Sequence, residues 1–279
     1  MSQVSTSTYI HGADPDEQRR LSKLNDLLNE RCLRELNLQG GERILDVGSG
    51  LGQFSRTMAR RMLDLKNPGN IIGFERDERQ LAEAKRQAAE AGEENLVDFR
   101  QGDATALPLA ADELETFDLV HTRFLLEHVP DPQAVVNQMF KAVRPGGRVV
   151  LADDDHVTFR CVPEPLGFHA LWQAYMRSYD RLGNDPFIGL HLVSLLHRAG
   201  ARDIRNSAVF FGDCAGNSTF PAYAANLVGI LAGAKDLIVR EKLLDERTFD
   251  LGIESIWDWS KLPDAALWYT ICWAEGKKT

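Results

Sequence analysis

Cysteine is scarce in this chain of 279 residues. The four present, Cys32, Cys161, Cys214 and Cys272, stand far apart, and none belongs to a Cys-x-x-Cys pair. That scarcity argues against a disulfide framework or a thiolate metal site, and it favours free thiols in a reducing compartment, the cytoplasm. Positive charge is also short. Lys and Arg total 32 against 41 Asp and Glu, a formal net charge of −9. Nucleic-acid and anionic-membrane partners call for clustered cations, so both are disfavoured. No run approaches the ~18 consecutive apolar residues of a membrane span, and the first twenty residues hold no apolar segment of a secretory leader. Internal repeats and low-complexity segments are missing as well. What remains is 44% hydrophobic content, ample at this length to bury the core of one large domain.

The pattern along the chain is alternating. Asp14, Pro15 and Glu17 supply an N-cap, a first-turn proline and an acid at the third helical position. Leu21, Leu24, Leu28, Cys32 and Leu36 then recur at helical spacing. From Gly41 onward, strand-like runs (RILDV, NIIGFE, NLVDFRQGD, FDLVHT, GRVVLADDD) alternate with helical segments at 51–64, 77–91 and 132–143. Such alternation predicts an α/β fold, a parallel sheet covered on both faces. The rhythm breaks after the fifth strand. Residues 156–186 and 215–262 read as helical insertions roofing a pocket. A sixth strand follows at 201–213, and a final one within DAALWYTICWAEGKK. The expected division of this single domain is a helical arm at 1–40, a ligand-binding core at 41–155, and the two insertions.

The first strand runs into ILDVGSGLGQFS, with Gly48, Gly50 and Gly52 at alternate positions around Ser49. Glycine there allows positive φ and close approach of a ligand to backbone. A Walker-type phosphate loop would end in Gly-Lys-Ser/Thr, and Gly52-Gln53-Phe54 does not. The dinucleotide fingerprint G-x-G-x-x-G fails at Gln53. Downstream, Glu75 ends the second strand, where a carboxylate can accept hydrogen bonds from vicinal ribose hydroxyls. Asp103 lies just past the third strand, placed to accept from an adenine amino group.

Taken together, Asp46-x-Gly48-x-Gly50-x-Gly52, Glu75, Gly102-Asp103, Phe117-Asp118 and Arg144-Pro145-Gly146-Gly147 resemble the class I S-adenosylmethionine-dependent methyltransferases. The resemblance is to their small-molecule branch, which includes ubiquinone-biosynthesis-type enzymes, and covers about residues 41–155. It implies a Rossmann-like, seven-stranded, mostly parallel sheet closed by an antiparallel hairpin, with S-adenosyl-L-methionine as cofactor. Asp46, Gly48, Ser49, Gly50 and Gly52 would hold its methionine end. Glu75 would hold the ribose, with Arg76 beside the adenine, and Gly102, Asp103 and Ala104 would bind that base. His121 would line the sulfonium side.

Methyl transfer onto a protic nucleophile needs a nearby base. His121, closing the fourth strand, and His156, following the fifth, are the candidates. His128 sits in a turn where a structural hydrogen bond suffices. Arg123, Asp153 and Tyr175 are expected to touch the acceptor, as are Tyr9 and His11 on the N-terminal arm. Asp153-Asp154-Asp155 invites a Mg²⁺ site, but the fourth strand ends in His121-Thr122 rather than an acid, so no metal is expected. The aromatic, partly acidic roof suits a moderately apolar small-molecule acceptor, amines included. Homo-oligomers are compatible with the sequence. The competing functions are an NAD-type oxidoreductase, for which no Tyr-x-x-x-Lys is present, and a non-catalytic binding protein of the same fold. A nucleic-acid methyltransferase is disfavoured by the net charge and by His121-Thr122-Arg123-Phe124 after the fourth strand.

Overall fold

The computed structural model describes residues 15–279. Its main sheet has seven strands: β1 (Arg43–Val47), β2 (Asn70–Glu75), β3 (Asp98–Gln101), β4 (Phe117–Arg123), β5 (Val143–Asp154), β7 (Arg202–Phe210) and β10 (Thr270–Lys277). Their order is β3-β2-β1-β4-β5-β10-β7. The first five are parallel, and β10 is antiparallel to both β5 and β7. This is the expected Rossmann-like sheet. Strand order reverses between β1 and β4, so a crevice opens beyond the carboxyl ends of those two strands.

Helices α1 (Pro15–Leu36), α2 (Gln53–Asp64) and α3 (Glu78–Glu90) pack on one face, and α4 (Pro132–Ala142) and α6 (Leu192–Arg198) on the other. Strand side chains alternate between the two cores, as the pleat requires. Ile44 and Ile71 join the first core, and Leu45, Val47 and Ile72 the second. Asp77 caps α3 as expected, accepting from Arg79 N–H and Gln80 N–H.

Beyond β5 the chain differs from the expected pattern. The insertion at 156–186 is not purely helical: β6 (Arg160–Val162) precedes α5 (Phe168–Asp180). The final strand-like run splits at Tyr269 into β9 (Ala266–Trp268) and β10. With β8 (Asp213–Cys214), β6 and β9 form a second antiparallel sheet in the order β6-β9-β8. These pieces have two or three residues each, too short to leave a periodic signal. α7 (Phe220–Arg240) and α8 (Glu246–Trp259) complete the roof. By length and composition α7 is apolar enough to cross a membrane, unlike the expectation from the raw sequence. In this structure one stripe of it, Phe220, Tyr223, Ala224, Leu227, Leu231, Ala234 and Ile238, is buried, and it packs against α1, α5 and α8.

Candidate functional site

Each glycine after β1 has its own physical reason. All three are left-handed, with φ of 74°, 55° and 67° at Gly48, Gly50 and Gly52. A Cβ on Gly52 would lie 2.2 Å from the Phe99 ring, and one on Gly48 3.0 Å from Leu125. On Gly50 it would meet nothing nearer than Gln80 Oε1 at 3.4 Å, so that position is open and only its backbone conformation demands glycine. The loop is tied to β2. Gly48 N–H and Ser49 N–H both donate to the Phe74 carbonyl at 2.9 Å.

Gly50 N–H donates to Glu75 Oε2 at 3.0 Å, and Asp77 N–H to Glu75 Oε1 at 2.8 Å. The Arg76 amide also reaches this carboxylate, which has room left to accept from a ligand hydroxyl. Burial pushes the Glu75 carboxyl above its usual value despite these bonds. Ser49 Oγ is buried without a protein partner. Gly102 N–H donates to the Glu75 carbonyl at 3.0 Å, which brings the end of β3 alongside. There, burial works against ionisation of Asp103. The Thr105 hydroxyl and amide, at 2.7 and 2.8 Å, and the positive charge of Arg76 nonetheless hold its carboxyl below the ordinary range. Ala104 is half-buried beside it.

A second feature lies across the segment that follows β4. Leu125 packs on Gly48, and Phe124, Glu127 and His128 line a cavity of about 80 Å³. Asp154 at the end of β5, His156 and Tyr269 line it too, as do Trp172, Tyr175 and Tyr179 on α5. The His156 ring lies 5.1–6.3 Å from the rings of Trp172, Tyr175, Tyr179 and Tyr269. Its Nε2 is 3.2 Å from Glu127 Oε2, and His128 Nε2 is 3.3 Å from Glu127 Oε1. The Tyr175 and Tyr179 hydroxyls are 3.1 Å apart. Burial pushes Glu127 up to about 8, against a lowering hydrogen bond from Tyr179, and the charge of Asp185 adds to the rise. Burial also raises Asp154, and it lowers His156, keeping that imidazole neutral. Glu127, Asp154 and His156 each offer a ligand atom, all within 4.8 Å of one another, the set among the described residues that could hold a metal ion.

The glycine loop with the Glu75 carboxylate and the polar-aromatic cavity thus lie on either side of one short segment. Residues 38–179 match the family model described as a methyltransferase domain. The chain belongs to the methyltransferase domain family. It is 33% identical over 160 residues to the 27-O-demethylrifamycin SV methyltransferase of Amycolatopsis mediterranei, covering 57% of this chain and 54% of that protein. It is 37% identical over 133 residues to the ubiquinone biosynthesis O-methyltransferase of Pseudomonas fluorescens, covering 48% and 53%. The chain thus spans about half the length of these curated relatives. A structure of geranyl diphosphate methyltransferase in complex with SAM shares the fold, with a TM-score of 0.54 at 15% identity over 96% of this chain and 92% of the other.

Within this methyltransferase domain several expected site residues take other positions. Asp46 was expected on the methionine end. It is buried, accepting from Ser55 Oγ at 2.5 Å and contacting His121 Nδ1 at 2.9 Å. Parallel pairing of β1 and β4 sets Asp46 opposite His121, which makes that contact inevitable. His121 was expected at the pocket mouth as a base. It is fully buried between Phe54 and Trp273, at ring distances of 5.1 and 6.3 Å. Arg123 does not face the acceptor cavity. Its guanidinium lies 4.3 Å from the Phe54 ring centre and donates to Asn25 and Asn29 of α1.

Asp153 is fully buried, its oxygens accepting from Leu126 N–H at 2.8 Å and Asp154 N–H at 3.0 Å. Side chains alternate along a strand, so its neighbour Asp154 reaches the cavity instead. His156 and Tyr175 do line the cavity. Tyr9 and His11 lie outside the described residues. Glu127 and Tyr269 went unrecognised in the sequence. The signal available for Glu127 was an acid between two apolar residues and a histidine directly after a parallel strand.

Proposed function

We propose that this chain is an S-adenosyl-L-methionine-dependent methyltransferase acting on a small-molecule acceptor. The observation that carries the reading is Glu75, a half-buried carboxylate bonded to the Gly50 amide and left with lone pairs beside an open glycine turn. The donor set fits the cofactor. Ser49 Oγ lacks a protein partner, the backbone at Gly50 admits close approach, and Asp103 stays ionised at the β3 end. Gly48, Ser49 and Gly50 would hold the methionine end, Glu75 the ribose hydroxyls, and Gly102, Asp103 and Ala104 the adenine, with Arg76 alongside. SAM bound to a neighbour of the same fold supports this assignment.

The cofactor, when bound, supplies an electrophilic methyl group on a sulfonium. The protein's part is alignment, exclusion of water and handling of a proton. Orientation of this kind contributes ~7–11 kcal/mol. Trp172, Tyr175, Tyr179 and Tyr269, all buried, keep water from the cavity. His156, neutral and hydrogen-bonded to Glu127, is placed to accept the proton of a bound acceptor. His121 is reassigned to support: it braces Asp46 under the glycine loop.

Cytoplasmic location belongs to the same reading and is supported by four free thiols. The net charge of −9 favours small molecules over nucleic acid or an anionic membrane as partners. A homo-oligomer is compatible with it. Calorimetric titration of the chain with S-adenosylmethionine and with NADH tests the reading directly. Saturable binding of the first alone is expected, and binding of NADH alone would overturn it.

A further inference from the structure

The cavity beneath α5 gathers acids with no cation among them. Glu127 and Asp154 line it, and Asp153 is buried beside them. Among the described residues no lysine or arginine lines the cavity. Buried carboxyls are ordinarily paired with a cation or hydrogen-bonded throughout, because an unpaired buried charge is costly. Asp153 meets that condition through two backbone amides. The Asp154 carboxyl and the Tyr269 hydroxyl interact with each other, while His156 Nδ1, on a side chain only 3% exposed, is buried without a hydrogen-bond partner. Around them stand the rings of Trp172, Tyr175, Tyr179 and Tyr269. Aromatic rings bind cations over their electron-rich faces, and several rings around one cavity form the cage that organic ammonium groups prefer.

We propose that the missing counter-charge belongs to the methyl acceptor, and that the acceptor is an amine whose ammonium group sits among these rings against Glu127 and Asp154. The assignment rests on the methyl-transfer reading above and specifies its substrate class. The chemistry balances. One ammonium proton passes to the neutral His156 imidazole, which shares a hydrogen bond with Glu127. The freed nitrogen lone pair forms the N–C bond as the C–S bond breaks. The C–S electron pair stays on sulfur, converting the sulfonium to a neutral thioether, and the positive charge ends on the methylated nitrogen. A hydroxyl acceptor would need one base and no second carboxyl. The site holds two, walled by rings.

The test uses the intact chain with S-adenosylhomocysteine present. Calorimetry compares tetramethylammonium chloride with neopentyl alcohol, uncharged and of nearly the same bulk. The cation is expected to bind at least about tenfold tighter, and E127Q and W172L each to weaken it by about tenfold without altering S-adenosylhomocysteine affinity. Wild-type comparison of the two probes needs no variant to fold. Equal binding of the two, or binding of neither, overturns the amine assignment and leaves methyl transfer standing. Displacement of tetramethylammonium by micromolar zinc or magnesium chloride also overturns it, since Glu127, Asp154 and His156 would then be metal ligands. Failure of S-adenosylhomocysteine itself to bind removes the methyl-transfer reading and the acceptor assignment with it.

Discussion

Glu75 is the side chain on which the fold and the proposed cofactor site meet. Its carboxylate ties the glycine loop to the start of α3 through Gly50 and Asp77. Glu75→Ala would leave both ribose hydroxyls without an acceptor, and S-adenosylmethionine affinity is expected to fall by about 2 kcal/mol or more, read by calorimetry. Unchanged affinity would remove Glu75 from the site. Gly52 has a different burden, since any side chain there faces the Phe99 ring and a left-handed backbone at once. Gly52→Ala is expected to cost roughly 2–4 kcal/mol of folding stability in denaturant melts. Gly50→Ala, strained but sterically open, should cost only ~1 kcal/mol, so equal losses at the two positions would refute this distinction. The residue types here were legible in sequence. The separate duties of the three glycines were not, because Phe99 and Leu125 come from other strands and loops.

Elements explain why Asp46 and His121 changed role. β1 and β4 are distant in sequence but adjacent in the sheet, and their register brings Asp46 level with His121. Ser55, on the first turns of α2, closes the group from above. Asp46→Ala should therefore act as a structural lesion, stranding a buried histidine and hydroxyl at a cost of about 3 kcal/mol. A thermal melt would show it with no ligand present. A lowered S-adenosylmethionine affinity at unchanged melting temperature would contradict that account. The exchange of Asp153 for Asp154 has the same origin. Three consecutive acids were visible at the end of β5, but the pleat decides which one points to the cavity. Pairing with β10 brings Ile271, another lining residue, opposite Asp154.

Across the whole molecule, the buried polar cluster should govern pH dependence. The groups concerned are Glu127, His128, Asp153, Asp154, His156, Tyr175, Tyr179 and Tyr269, with Asp155 and Asp185 nearby. Glu127 titrates near 8 when folded and at about 4.3 when unfolded. Between those values the folded state holds the extra proton, so stability falls as pH rises. Burial lowers His156, which works oppositely: stability is lost as pH falls below its unfolded value of about 6.5. The clean window is therefore from about pH 7 to about 8, above the unfolded histidine and below the unfolded thiols, where the raised carboxyls dominate. There the melting temperature of the wild type is expected to decline, and Glu127→Gln should flatten the decline. A wild-type curve rising across that window would refute the assignment of a protonated Glu127.

The sequence by itself determined the alternating α/β plan, the glycine turn, and the strand-end acids Glu75 and Asp103 that the proposal gives to the ribose and the adenine. These are local signals: period-two and helical runs, turn residues, and acids at strand ends. The tertiary structure alone decided which groups share a cavity. Glu127 after β4, Asp154 on β5, Tyr175 on α5 and Tyr269 before β10 are scattered along the chain, and only strand order and side-chain alternation bring them together. It also moved His121 from pocket to core and turned the Arg123 guanidinium to the asparagines of α1, since the partner that claims a side chain is set by packing rather than by neighbours in sequence.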